Sequence, residues 1–519
     1  MSWFNQFIQS IFGKSRPKPQ RPTPTPTPPR ATIAVVVTNP RTQEPVVGAT
    51  FRLNDILRTT TDERGYAALE VNQGEVYFAV EHPDFHDSHA KLLLTQNTQL
   101  AINLEPIAPV VAPPPPSVYP KLRGRLRIDG GRFVDDTGPV LPLFAHAGDM
   151  FALYKRNPAL VLSQLDKIAA AGYQGIRFWT ILGGVYWEKQ DRHIGPKFFG
   201  EEYFVLLKSF MQEVHARGLR LLASQGDIGQ LGDLEQRKAY ARRFAGLARD
   251  VDGTGHLVAF FDGGNEAWQT GEPDPERLAQ FVRAYREAGG TAILTLSSPP
   301  GEDKAELDAF SIDPAQCYDV HGYRGGRAYD KIRHIFSIPY EGKPKHKLGV
   351  QSEPPGNGAL VSVTENKHEL DHEAVALLGL MSLICRQAWV WFSGEGVRIQ
   401  AGLETEQGFA ATPRAAAFLP PDVMSFATLH HSGDTWSNLR IVDRGVSHES
   451  RVDGAQHTDG RLVYLFYGAP GKHTFRAARS FSGQLIHPVT GEAHPLTVKA
   501  GESFSLDWQW GRLFIGKLV

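Results

Sequence analysis

Residues 257–268 read LVAFFDGGNEAW. A run of large apolar residues with no polar alternation predicts a strand buried on both faces, as in a parallel sheet. The Asp-Gly-Gly that follows marks its end, and Asn265 and Glu266 stand just beyond it. Behind them PERLAQFVRAYREAG (275–289) carries apolar residues at helical spacing and closes on glycine. The stretch is therefore one strand–helix unit with a carboxyl at its turn.

The same beat recurs on either side. LPLFAHA (141–147), GIRFWT (175–180) and LRLLAS (219–224) precede it as strands, each followed by a helical pattern such as YFVLLKSFMQEVHARG (203–218). TAILTLS (291–297), CYDVHGY (317–323), KLGVQSE (347–353) and AWVWFSG (388–394) follow as strands five to eight, and PRAAAFLPPDVMSFATL (413–429) is expected to supply the last helix. Eight such units in about 300 residues fit a (β/α)₈ TIM barrel. An open doubly wound sheet would carry a glycine-rich first turn for a nucleotide, and LPLFAHA is followed by Gly148 alone. The barrel domain is assigned to residues 121–429.

The flanks have different character. Residues 1–14 (MSWFNQFIQSIFGK) place Trp3, Phe4, Phe7, Ile8, Ile11 and Phe12 on one helical stripe, an amphipathic helix suited to docking on a membrane surface or a larger assembly. The segment lacks the basic start, continuous apolar stretch and small-residue cleavage site of a secretory signal, and no run of 18 apolar residues predicts a transmembrane helix. Residues 15–30 form a Pro/Thr-rich linker and 107–120 a Pro-rich one, both favouring extended chain. Between them, residues 31–106 alternate short strands (ATIAVVV, ATFRLN, AALEV, EVYFAVEH) with Gly, Asn and Asp turns, which predicts a small β-sandwich. Residues 430–519 lose helical periodicity, and RLVYLFYG, KHTFRAARSF, GQLIHPVTGE and RLFIGKLV predict a second one. The expected architecture is multidomain: a central barrel between two small β-sandwiches.

Composition narrows the function. Lys+Arg (55) and Asp+Glu (56) nearly cancel over 519 residues without a basic block, which argues against nucleic acid as a partner and leaves uncharged polymers open. The two cysteines, Cys317 and Cys385, have no metal-ligand spacing and fall in core-like segments. No metal or cofactor is expected.

In a barrel of this kind the reacting groups stand at the C-terminal ends of strands. Strand four ends at Asn265-Glu266 and strand seven at Glu353, on opposite sides of the opening. Two carboxyl groups about 5–5.5 Å apart can flank one glycosidic bond, one protonating the leaving oxygen while the other attacks the anomeric carbon.

The joint order of these motifs over about 300 residues resembles the clan A type of retaining glycoside hydrolase, the cellulase, mannanase and β-galactosidase superfamily. The resemblance implies Glu266 as acid/base, Glu353 as nucleophile and Asn265 as the ligand of the sugar 2-hydroxyl. It further implies that Arg177 in GIRFW supports the nucleophile, that His321 and Tyr323 in CYDVHGY contact substrate and nucleophile, and that Trp391 stacks on a sugar, with Trp389 or Phe392 as alternatives. Pro354-Pro355 after Glu353 departs from the clan's usual Phe or Gly. The stretch PVVGATFRL…TTTDERGYAALEVNQGEVYFAVEHPDF resembles the carboxypeptidase-regulatory, transthyretin-like sandwich family, which implies a spacer or adhesion module. The implied partner is a polysaccharide or glycan.

Each of these residues also has a structural alternative. Glu266 and Glu353 could be carboxylates after a strand, Arg177 could close a buried ion pair, and His321 and Tyr323 could be satisfied core groups. His146, Asp149 and Asp227, at the ends of strands one and three, could line the cleft or belong to solvated loops. From another functional class, a non-catalytic carbohydrate-binding or structural barrel mounted on a virion or envelope would suit the sandwich, the hinges and the amphipathic start. Retention of both carboxylates favours the enzyme. No G-x-S-x-G elbow suggests a serine hydrolase.

Overall fold

Each of the eight apolar runs forms a strand of one parallel sheet: Leu143–His146, Gly175–Trp179, Arg220–Ser224, Val258–Asp262, Ile293–Thr295, Cys317–His321, Leu348–Glu353 and Gln387–Trp391. Their order in the sheet is five, four, three, two, one, eight, seven, six, so each strand lies beside its neighbours in sequence and the first pairs with the eighth. Between strands five and six, the Gln316 N–H donates to the Leu294 carbonyl at 2.9 Å. The result is the expected TIM barrel. In this computed structural model the described residues are 29–40, 42–54, 57–82, 85–104, 122–183, 193–300, 304–321, 348–353, 372–391, 409–429, 431–432, 435–436, 439–443, 451–467, 471–508 and 511–519. The helix expected over residues 1–14, nearly all of the 15–30 linker, the whole 107–120 linker, Tyr323 and Phe392 lie outside them.

Strand alternation sorts side chains between two cores. Phe144 and Phe260 meet edge-on inside the barrel at 5.7 Å, and Phe133 closes on Phe260 at the same distance. Phe133 belongs to a hairpin ahead of strand one (Arg127–Asp129 with Arg132–Asp135), anchored to the start of strand three by the buried Arg220–Asp135 ion pair at 2.7 Å. The N-terminal end of the barrel is thereby plugged. Phe261, one residue along, points the other way and stacks on Tyr285 of the outer helix Pro275–Glu287 at 4.2 Å.

The outer helices start where side chains can satisfy their first amides. Asp233 forms a reciprocal capping box with Gln236 ahead of Leu234–Val251, and Asn157 and Asp274 cap helices whose first residue is proline. The last helix is shorter than expected. It covers Ala411–Ala416, and a 3₁₀ turn at Val423–Ser425 follows Pro420-Pro421, because proline cannot continue a helix and pushes the preceding residue out of helical conformation.

The chain divides into two compact units, Met1–Pro109 and Val110–Val519. The first has two sheets of three and four strands around its own core of Ile33, Val35, Val37, Phe51, Phe78 and Val80. In the second, two antiparallel sheets follow the barrel, one of six strands and one of five. Both flanking regions are β-sandwiches. Strand Ala427–Thr428 pairs with Arg451–Gln456, so the C-terminal layer takes up the chain directly after the 3₁₀ turn. Helix His372–Ile384 is buried at every residue from Val375 to Ile384, and barrel and C-terminal residues, among them Leu377, Val463, Leu465 and Leu513, belong to one apolar cluster. Among the described residues no helix is long and apolar enough to cross a membrane.

Candidate active site

The turn after strand four is shaped by close approaches. A Cβ on Gly263 would lie 2.4 Å from the Leu296 carbonyl oxygen, so only glycine lets the chain pass strand five here. Beyond it the Asn265 N–H donates to the Gln225 carbonyl at 2.9 Å, and the Ala267 N–H donates to Ser297 Oγ at 2.9 Å. Between these two anchors Glu266 adopts the left-handed conformation, φ 45° and ψ 51°. A residue with a Cβ is disfavoured there by about 1–2 kcal/mol, so the fixed bonds on either side determine the direction of its side chain.

That side chain is 31% exposed and held at both oxygens. Gln269 Nε2 donates to Oε2 at 2.7 Å, and His321 Nδ1 lies 3.1 Å from Oε1. On the other side of the imidazole, Arg177 Nη2 lies 3.4 Å from His321 Nε2. An arginine can only donate, so His321 Nε2 accepts and Nδ1 carries the proton given to Glu266. The same Nη2 donates to Asn265 Oδ1 at 2.6 Å, and Nη1 faces His146 Nδ1 at 3.1 Å. With Oδ1 taken by the guanidinium, the Asn265 amide nitrogen is the end that can donate to a ligand. Arg177 is completely buried and Asn265 nearly so.

Four of the residues singled out from sequence, Arg177, Asn265, Glu266 and His321, thus form one hydrogen-bonded group at the C-terminal ends of strands two, four and six. Glu353 is the last residue of strand seven and the ladder partner of His321, across a register shift between Val320 and His321. Trp391 has a different place. Its ladder partner Ala145, like Leu143 opposite Trp389, lies on the face of strand one opposite to Phe144, and Trp389 reaches helix His372–Ile384, its Nε1 3.2 Å from where a Gly379 Cβ would stand. Period-two alternation gives both tryptophans the outward side. Trp391 is completely buried against Phe409 at 5.0 Å, so neither ring offers an open face for a sugar.

Sequence reasoning did not single out Gln269, Gln225 or Ser297. Gln269 had one signal, its i+3 spacing from Glu266 on a short helix; the other two act through contacts between strands that no local pattern reveals. His146 is a buried part of the group. Asp227 stands after strand three, and burial raises its carboxyl to about 6, with Gln230, Lys197 and His193 opposing the shift. Among the described residues no group of three His, Cys, Asp or Glu side chains could hold a metal ion.

No family model matches the chain, and no curated protein does. Among solved structures, a glycoside hydrolase is similar with a TM-score of 0.53 and 12% identity, over 76% of this chain and 97% of that one. A family 5 glycoside hydrolase from Bacteroides vulgatus ATCC 8482 gives the same TM-score and identity, over 76% of this chain and 93% of its own. At that identity the likeness is one of fold.

Proposed function

We propose that the barrel is a retaining glycoside hydrolase acting on a β-linked polysaccharide or glycan, with Glu266 as acid/base and Glu353 as nucleophile. The observation that carries the proposal is His321: its ring meets the Glu266 carboxyl at 3.1 Å, and its backbone pairs with that of Glu353. The two strand ends that bear the carboxyls therefore adjoin one imidazole.

The chemistry follows in two displacements. Glu353 attacks the anomeric carbon while Glu266 gives its proton to the leaving oxygen, and a glycosyl ester forms on Glu353. Glu266 then takes a proton from water as that water attacks the same carbon, and the sugar leaves with its configuration kept. Asn265 donates to the sugar 2-hydroxyl, a contact that strengthens in the oxocarbenium-like transition state. Arg177 holds that amide in place, and His321, with Nε2 against the guanidinium, keeps its proton directed at Glu266. The N-terminal sandwich is proposed as a spacer or adhesion module of the carboxypeptidase-regulatory type, and residues 1–14 as a docking element for a membrane surface or larger assembly.

Glu266→Gln and Glu353→Gln, assayed singly on aryl β-glycosides and a polysaccharide panel, test the reading. Each is expected to lose turnover by about 10²–10⁴-fold or more, and wild-type turnover in either removes that residue from its role. A 2-fluoro sugar should label the peptide containing Glu353; a label elsewhere reassigns the nucleophile.

A further inference from the structure

The barrel interior below the mouth is polar where such interiors are ordinarily filled by branched apolar side chains. Asp262, at the end of strand four, is completely buried; Ser224 Oγ donates to its Oδ2 at 2.6 Å and Thr295 Oγ1 to its Oδ1 at 3.0 Å. Asp319 of strand six is also buried, with Oδ1 bonded to the Ser352 hydroxyl and Oδ2 without a hydrogen-bond partner among the described residues. No cation among the described residues comes within ion-pair distance of either carboxyl. Arg177, across the barrel on strand two, acts on Asp262 through space.

An ionised carboxylate in such a place lacks the contact cation that buried charges require. We propose that Asp262 is kept as a neutral acid in the barrel floor, a positioning residue that limits the negative charge beneath Arg177 to that of Asp319. Either hydroxyl neighbour can reverse to accept the acid proton. Were Asp262 to ionise, a second negative charge below the guanidinium would draw it down, away from Asn265 Oδ1 and His321 Nε2. The groups facing Asp262 from the packed strands are Arg177, Ser224, Thr295 and Asp319; Glu266, His321 and His146 lie above, around Arg177. Burial is the largest cause raising the Asp262 carboxyl, to about 7, and the charge of Asp319 adds to it. Its ionisation thus falls in the neutral range.

The proposal extends the glycosidase reading but is testable without it. Infrared spectra of the full chain, without substrate, should contain a carboxylic-acid carbonyl band at about pH 6 that is lost as pH rises through about 7. Asp227 and other acids contribute to this region, so the deciding signal is the wild type minus Asp262→Asn difference. In Asp319→Asn the Asp262 band should titrate at lower pH, since its like charge is gone. No band in the difference spectrum, or an unmoved midpoint in Asp319→Asn, overturns the proposal. If the chain cleaves glycosides, kcat/KM of the wild type should fall through the same pH range, and Asp262→Asn should lack that step; a retained step also overturns it. A chain that cleaves no glycoside refutes the proposed function and leaves the infrared result standing.

Discussion

Arg177 Nη2 lies 2.6 Å from Asn265 Oδ1, inside a barrel where neither residue is open to solvent. A charged donor deprived of its acceptor in such a place costs about 1–3 kcal/mol or more. Asn265→Ala is expected to lower stability by that order in chemical denaturation and to reduce kcat/KM. On a 2-deoxy glycoside the kinetic loss should shrink, because the hydroxyl that the amide would hold is missing. An equal loss on both substrates would refute the 2-hydroxyl contact.

The left-handed backbone of Glu266 gives an unusual stability order. Alanine keeps the Cβ that crowds this conformation, whereas glycine does not. Glu266→Gly should therefore be more stable than Glu266→Ala by about 1 kcal/mol, and both should lack turnover. Equal unfolding midpoints for the two variants would contradict the strain.

Asp227 sets a pH dependence of stability. Its folded value of about 6 lies above the model value of 3.8, so the folded chain holds a proton that the unfolded chain releases. Its contribution is fully present below about pH 4 and is lost as pH rises through about 6. Asp227→Asn should lose less stability than the wild type between about pH 4 and about pH 7. Thermal midpoints across that range check it, and parallel curves would remove Asp227 as a source.

Phe261 faces the outer helices and lies flat on Tyr285, with ring planes 4° apart. Phe261→Ala should cost about 3–5 kcal/mol, read as a shift in urea midpoint with unchanged slope. A shift near zero would mean that the strand-four helix interface repacks around the gap.

Much of the barrel was legible because its strands are buried on both faces, so apolar runs announced them. Strand four was expected at 257–263 and spans Val258–Asp262; strand two was expected at 175–180 and spans Gly175–Trp179. The hairpin Arg127–Asp129 with Arg132–Asp135 was missed, since its strands are short and charged and its role rests on the distant Arg220. In the site, position at strand ends located Arg177, Asn265, Glu266 and His321. Alternation alone could not orient Trp391, because it tells that Trp389 and Trp391 share a side without telling which. Only the ladder with strand one resolves that. The polar floor of Asp262 and Asp319 was invisible for a related reason: each is one charged residue in an apolar strand, and their approach depends on barrel closure.

Helix His372–Ile384 has no wet side along its buried length, because the barrel and the C-terminal sheets share it. The terminal sandwich is consequently no detachable accessory. Cutting the gene before it would leave an oily rod uncovered and yield aggregates instead of a minimal enzyme. The unit at the other end has a core of its own, and it is there that recombination could exchange one module for another and leave the barrel whole.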